Sequence, residues 1–195
     1  MPYSKEHKTR VREKILECAT GAFRQHGLEA VTVPEVMKRM GLTHGGFYAY
    51  FESKDALVAE ACRRGLEETL EAFFRSAEEA PEGTLHAVIR RYVSRAHRDH
   101  PEAGCVIPAL GGEVAHHPSP QVRQAFTESV EGFLGALERA LPAELPPEER
   151  RQQAIALAAG MVGAVLMARA VADPELSDRI IRAGREHLLK TFAAR

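Results

Sequence analysis

Tryptophan is absent from this chain, and cysteine is scarce, with three residues in 195. An odd, widely spaced set makes no disulfide framework. It fits a reducing compartment, so the expected location is the cytoplasm. Long apolar runs are missing too. The longest, Ala154 to Ala168, falls short of the ~20 residues that a membrane helix needs. It reads as a buried helix, and no membrane partner is expected. The opening "MPYSKEHKTRVREK" lacks the apolar stretch of a signal peptide. Strand-like alternation, internal repeats and low-complexity tracts are also lacking. So are the P-loop, the G-x-S-x-G elbow, C-x-x-C pairs and H-E-x-x-H. No catalytic residue, cofactor or enzyme activity is expected on these grounds.

Excess charge of one sign is missing overall, the net value being −1. The distribution is uneven. Residues up to Lys54 carry a net +3 and the remainder −4. A basic front on a slightly acidic body fits a polyanionic partner that touches only the front. An uneven solvated surface would look the same.

What is present is helical period. Val11, Ile15, Ala19, Ala22 and Phe23 recur at spacings of three and four until Gly27 stops them, a helix with a glycine C-cap. "TVPE" (Thr32 to Glu35) has capping-box spacing with proline in the first turn. It opens a short helix that ends at Gly41. Thr43 caps a third helix. Ser53 caps a long fourth one through Leu57, Ala61, Leu66, Leu70, Phe73 and Ala77. Prolines then separate further helical stretches, with "LPAELPPEERR" (Leu141 to Arg151) a surface loop and Asp173-Pro174 the start of the last helix. The fold expected is all-α with about nine helices. The expected organisation is a first helical unit at 1–54 followed by a larger helical unit at 55–195.

Within "GLTHGGFYAYFESKDAL" four aromatics fall in five positions behind a Gly-Gly pair. On a wheel of about 100° per residue, Phe47 and Phe51 form an inward stripe. Gly45, Gly46 and Ala49 leave the opposite face bare, and Tyr48 and Tyr50 flank it. A bare face admits close approach of another surface. Tyrosine hydroxyls, Lys54 and the helix N-terminus suit phosphates, and Thr43 and His44 sit where a helix tip meets base edges. The wheel also sets His44 about 60° from Phe47, so it reads equally as a core-edge histidine. Two readings fit the segment: the second half of a helix-turn-helix, or a packed helix–helix corner.

The block "TVPEVMKRMGLTHGGFYAYFESKDALVAEA" resembles the N-terminal DNA-binding region of TetR/AcrR-type transcriptional regulators. The likeness rests on Thr32, Gly41, Thr43, Gly45, Phe47, Tyr48, Tyr50, Phe51, Ser53, Lys54 and Leu57. It extends back to Ile15. Met37 and Met40 stand where alanine is usual. Gly46 stands where many relatives carry a base-reading side chain. The resemblance implies DNA contacts at Thr32, Thr43, His44, Gly45, Gly46, Tyr48, Tyr50 and Lys54. The basic arm Lys5, Lys8 and Arg10 adds phosphate contacts. It also implies a homodimer on a near-palindromic double-stranded operator, with a small-molecule effector bound in the C-terminal body. The expected mode is repression relieved by the effector through movement of the long fourth helix.

Effector-pocket candidates are Phe73, Phe74, Tyr92, His97, Cys105, Val106, Leu110, Phe126, Phe133 and Met161, which are also plausible core residues. Ala156, Gly160, Ala164 and Ala168, at spacing four, with Met167 beside them, are candidates for the dimer interface. Cys105 follows Gly104 near a helix start, where a thiol acquires a lowered pKa. That makes it a candidate sensor of oxidants or electrophiles. His97, His100, His116, His117 and Glu113 invite a metal reading through "EVAH", but a helical-bundle site needs a second E-x-x-H and the chain has none. No metal is expected. A helical-bundle metal enzyme and a helical protein-binding adaptor are the alternatives.

Overall fold

The computed structural model describes residues 5–193. Among them are nine α-helices and no strand: α1 (Lys5–His26), α2 (Val33–Arg39), α3 (Lys54–Thr69), α4 (Thr84–Tyr92), α5 (Arg95–Asp99), α6 (Val106–His116), α7 (Pro120–Ala140), α8 (Pro147–Ala170) and α9 (Pro174–Phe192). The all-α expectation is met. The segment His44–Ala49 is a 3₁₀ helix rather than the expected α-helix, its turn closed by the amides of Gly46 and Tyr50 on the carbonyls of Thr43 and Phe47.

Two apolar cores are stacked along α3. The first gathers Ile15, Phe23, Met37, Phe47, Phe51 and Leu57, and is completed by Val106, Leu110 and Val114 of α6 and Val122 of α7. The second gathers Phe73, Phe74, Tyr92, Phe133, Leu157 and Met161. Leu57 and Cys62 lie in the first core and Leu66 borders the second, so α3 is a shared wall with no linker.

The long helix expected from Ser53 to Ala77 departs from α geometry. After Thr69 it passes through a π turn, Leu70–Phe74, and a short 3₁₀ turn, Arg75–Ala77. The wider turn lets two adjacent aromatics, Phe73 and Phe74, both stay buried. A regular α-helix would set them about 100° apart. The Leu141–Arg151 loop is also shorter than expected. Pro147 occupies the first turn of α8, so "PEERR" is helical, as fits proline at N1.

Candidate nucleic-acid interface

The turn after α1 fixes where α2 begins. Gly27 takes φ +86°, a left-handed value that suits only glycine well. A Cβ there would also meet the Glu113 carboxylate at 2.6 Å. That carboxylate accepts the amides of Leu28 (2.8 Å) and Glu29 (3.3 Å). The glutamate of "EVAH" therefore tethers α6 to this turn. Among the described residues no three His, Cys, Asp or Glu side chains are placed to hold a metal ion.

Thr32 and Glu35 form the expected capping box of α2. The Thr32 amide donates to Glu35 Oε2 at 2.8 Å, and the Glu35 amide donates to Thr32 Oγ1 at 3.4 Å. Hydrogen bonds from the Thr32 backbone and hydroxyl hold the Glu35 carboxyl below its ordinary pKa. The Thr32 hydroxyl is thus already engaged with Glu35.

In the 3₁₀ segment Phe47 is fully buried and stacks on Phe51 at 5.7 Å. Thr43, His44, Gly45, Tyr48 and Ala49 are exposed, and Gly46 and Tyr50 are half-buried. The core-edge alternative for His44 is therefore corrected. Its ring is in solvent, edge-on to Tyr48 at 6.1 Å. Tyr48 is 63% exposed, an unusual position for a tyrosine. Its ring rests edge-on against Phe47 at 5.3 Å. A Cβ added at Gly45 would meet nothing within 4 Å, so this face is bare. Thr43 caps the segment without using its hydroxyl on the cap.

Lys5, Lys8 and Arg10 are exposed on the first turns of α1. Lys5 and Lys8 border a groove of about 350 Å³ that Ala49 and Tyr50 close from the other side. This brings the basic arm beside the 3₁₀ segment. Lys54 is placed differently. Its ammonium donates to the Leu28 carbonyl and the residue is half-buried. The lysine expected to meet DNA thus braces the α1–α2 turn in this structure.

Arg12 escaped notice in the sequence. Its guanidinium lies 4.6 Å from the Phe51 ring centroid, donates to the Tyr50 carbonyl at 3.3 Å and pairs with Glu60. It pins the end of the 3₁₀ segment to α1. Its partners are 38 and 48 residues away, and no local spacing announces them.

The effector candidates divide between the two cores. Phe73, Phe74, Tyr92, Cys105, Phe133 and Met161 come together in the second, and His97 joins them at 4.5 Å from Tyr92 and 4.8 Å from Phe73. Val106 and Leu110 of α6, which packs against α1, and the partly buried Phe126 of α7 instead lie against the first core. These three are corrected to first-core residues.

Cys105 is fully buried, and burial pushes its thiol up from the ordinary value. The lowered pKa expected of a helix-start thiol is corrected, since desolvation outweighs the position at the head of α6.

His97 is locked as a neutral ring. Nδ1 meets the Tyr92 carbonyl at 2.7 Å, and Nε2 accepts the Cys105 amide at 2.9 Å. Burial lowers its pKa from 6.5 to about 4. The unfolded chain therefore takes up this proton first as pH falls. Stability is complete above about pH 6.5 and declines toward pH 4, by up to about 3 kcal/mol. Urea titrations from pH 7 to 4.5 should show this slope in the wild type and lose it in His97→Gln.

On α8, Gly160, Ala164 and Ala168 face their own chain. A Cβ at Gly160 would meet Leu188 of α9 at 2.8 Å, and a Cβ at Gly184 would meet Ala164 at 3.0 Å. Ala168 is 3% exposed. These three are corrected to packing between α8 and α9, because small residues let those helices approach closely. The other side of α8 is different. Ile155, Leu166 and Met167 are 47%, 48% and 57% exposed, and Ala156, Ala159 and Ala170 are exposed with them.

The fold and this site have the layout of a helix-turn-helix unit joined to a helical C-terminal body. Residues 15–61 match the model for bacterial regulatory proteins of the tetR family, and residues 81–184 match the tetracyclin repressor-like C-terminal domain. The chain belongs to the TetR family of transcriptional regulators. It is 36% identical over 75 residues to YfiR, an HTH-type regulator of Bacillus subtilis, covering 38% of this chain and 37% of that protein. The chain thus spans well under half the length of the first curated relatives it matches. The TetR-family regulator from Cytophaga hutchinsonii shares the fold across the full length of both chains, with a TM-score of 0.76 at 19% identity. AibR, solved with isovaleryl coenzyme A and operator DNA, gives a TM-score of 0.62 at 17% identity over 95% of this chain and 100% of that one.

Proposed function

We propose that this TetR-family regulator acts as a homodimeric repressor, reading a near-palindromic operator with one 3₁₀ segment per half-site. The observation that carries the reading is the exposed, bare segment His44–Ala49, with Tyr48 63% exposed beside the Lys5–Lys8 groove. Thr43, Tyr48 and the basic arm serve phosphates, and His44 reads a base edge. Gly45 and Gly46 allow close backbone approach, so DNA shape contributes to the choice of site. AibR is a neighbour that holds both operator DNA and an acyl thioester. That supports an effector site in the C-terminal body here, in the unit we set at 55–195.

The exposed apolar side of α8 supports a dimer built on that helix and α9. Of the described helices, α8 alone is long and apolar enough to cross a membrane. A partner copy covering Leu166 and Met167 accounts for that composition, and we place the protein in the cytoplasm as a non-enzyme.

The test is binding to the DNA directly upstream of the protein's own gene, with and without excess random competitor. Specific retention is expected, weakening steeply with salt as counterions are released. Binding that competitor abolishes there and on any genomic fragment would overturn the reading.

A further inference from the structure

We infer that the effector is a small apolar organic acid, seated between α5 and the start of α6 with its carboxylate held by Arg169, Tyr92 and Arg24. The inference rests on the reading of this chain as an effector-responsive regulator and names the class of effector.

The first observation is a charge without a counter-charge. Arg169, on α8, reaches under α5 and donates to the carbonyls of His97 and Arg98. No carboxylate pairs with it among the described residues. Asp99 and Glu102 act on it only at longer range, and each is in contact with a base of its own, Arg98 and His100. Burial lowers the pKa of Arg169, as it does for a cation stripped of water and given only neutral partners. Its Nη1 has no hydrogen-bond partner and no solvent. Buried guanidinium N–H groups are costly to leave open.

The second observation is that other open polar groups gather around the same segment. The Tyr92 hydroxyl is fully buried beside the Cys105 thiol and makes no hydrogen bond of acceptable geometry. Arg24, 5% exposed in its side chain, donates Nη1 to the Gly104 carbonyl and Nη2 to Glu68, and leaves Nε buried and open. Two open groups are donors only and the third can donate. A set of unsatisfied donors with net positive charge matches an anion and offers nothing to a cation.

The third observation is an apolar approach. A groove of about 560 Å³ is walled by Ala72, Phe73, Ala96, His97, Ala103 and Gly104, with Arg91 and His100 bordering it. Its floor is the Phe73 and His97 rings, and Tyr92 packs against both. Arg169 lies behind Gly104, where an added Cβ would come within 3.1 Å of Nη2. An apolar body fills the groove, and an acid head reaches the donors one layer deeper by displacing the Phe73 ring and the His97 ring, whose bonds to the Tyr92 carbonyl and the Cys105 amide are given up for it.

The test uses the full-length protein bound to its operator fragment. Phenylacetate and octanoate are titrated against their amides, phenylacetamide and octanamide, by calorimetry on free protein and by release of labelled DNA. The acids are expected to bind roughly tenfold or more tighter than the amides, the ratio of one charge-assisted hydrogen bond. Tyr92→Phe removes a hydroxyl whose polar neighbour in the free protein is the Cys105 thiol, a weak hydrogen-bonding group. It should keep its melting temperature and lose several-fold in acid affinity. Arg169→Met should erase the acid–amide preference and Arg169→Lys should retain part of it. Equal binding of acid and amide, or an unchanged preference in both Tyr92→Phe and Arg169→Met, would overturn the inference, as would acids that fail to bind at all, leaving water on these donors. Acid binding that leaves DNA affinity unchanged would keep this site and refute the effector-release reading instead.

Discussion

In Phe47→Ala, operator binding is expected to vanish at 37 °C while the C-terminal body stays folded. Phe47 has no exposed surface and is packed between the Phe51 and Tyr48 rings. Truncating a buried phenylalanine costs about 3–5 kcal/mol. That is a large share of the stability of a small folded unit. Thr43 gives the 3₁₀ segment no side-chain cap, so Phe47 within it and Arg12 at its end hold it in place. Urea unfolding should split into two transitions, the earlier one shifted by the substitution. Tyr48→Phe is the companion variant. It removes only an exposed hydroxyl, so it should leave unfolding unchanged and weaken operator binding alone. A single unshifted transition in Phe47→Ala would show that the 3₁₀ segment holds its place without Phe47.

Leu166→Glu combined with Met167→Glu is expected to leave a folded monomer. Both side chains are about half exposed in one chain, so charge there costs the isolated fold little. In a dimer it would bury like charges across a two-fold axis. Losing the second half-site forfeits the effective concentration of a linked pair, and operator affinity should fall ~100-fold or more. Sedimentation velocity and operator titration read the two effects separately. A dimer that survives the double substitution would move the interface elsewhere.

The sequence carried the local features well and the crossing contacts poorly. Capping box, glycine turns and aromatic stripe are encoded within a few residues of one another, and the Thr32–Glu35 cap folds as spaced. The bare face around Gly45 was legible for the same reason. Winding was less so. Six residues between a threonine cap and Tyr50 fit an α turn or a 3₁₀ turn equally on paper, and hydrogen bonds to Phe47 decide it. The small-residue row on α8 gave the right geometry and left the partner open, because α9 and a second copy make the same demand for small side chains. Arg12, Arg24 and Arg169 were invisible as special residues. Each draws its meaning from partners 38 to 80 residues away, and arginine on a helix surface is otherwise commonplace.

The tether between α1 and α6 bears on how such regulators recombine. Arg24 grips the Gly104 carbonyl just ahead of α6, and Glu113, near its far end, grips the Leu28 and Glu29 amides. Each grip spans any cut near residue 54. A chimera that transplants a foreign reading head onto this body must therefore import a compatible arginine, a glycine that clears the carboxylate and a turn whose amides face it. A head chosen for its operator alone would be mounted on a broken joint. Matching the joint, more than matching the operator, decides whether the hybrid answers to its effector.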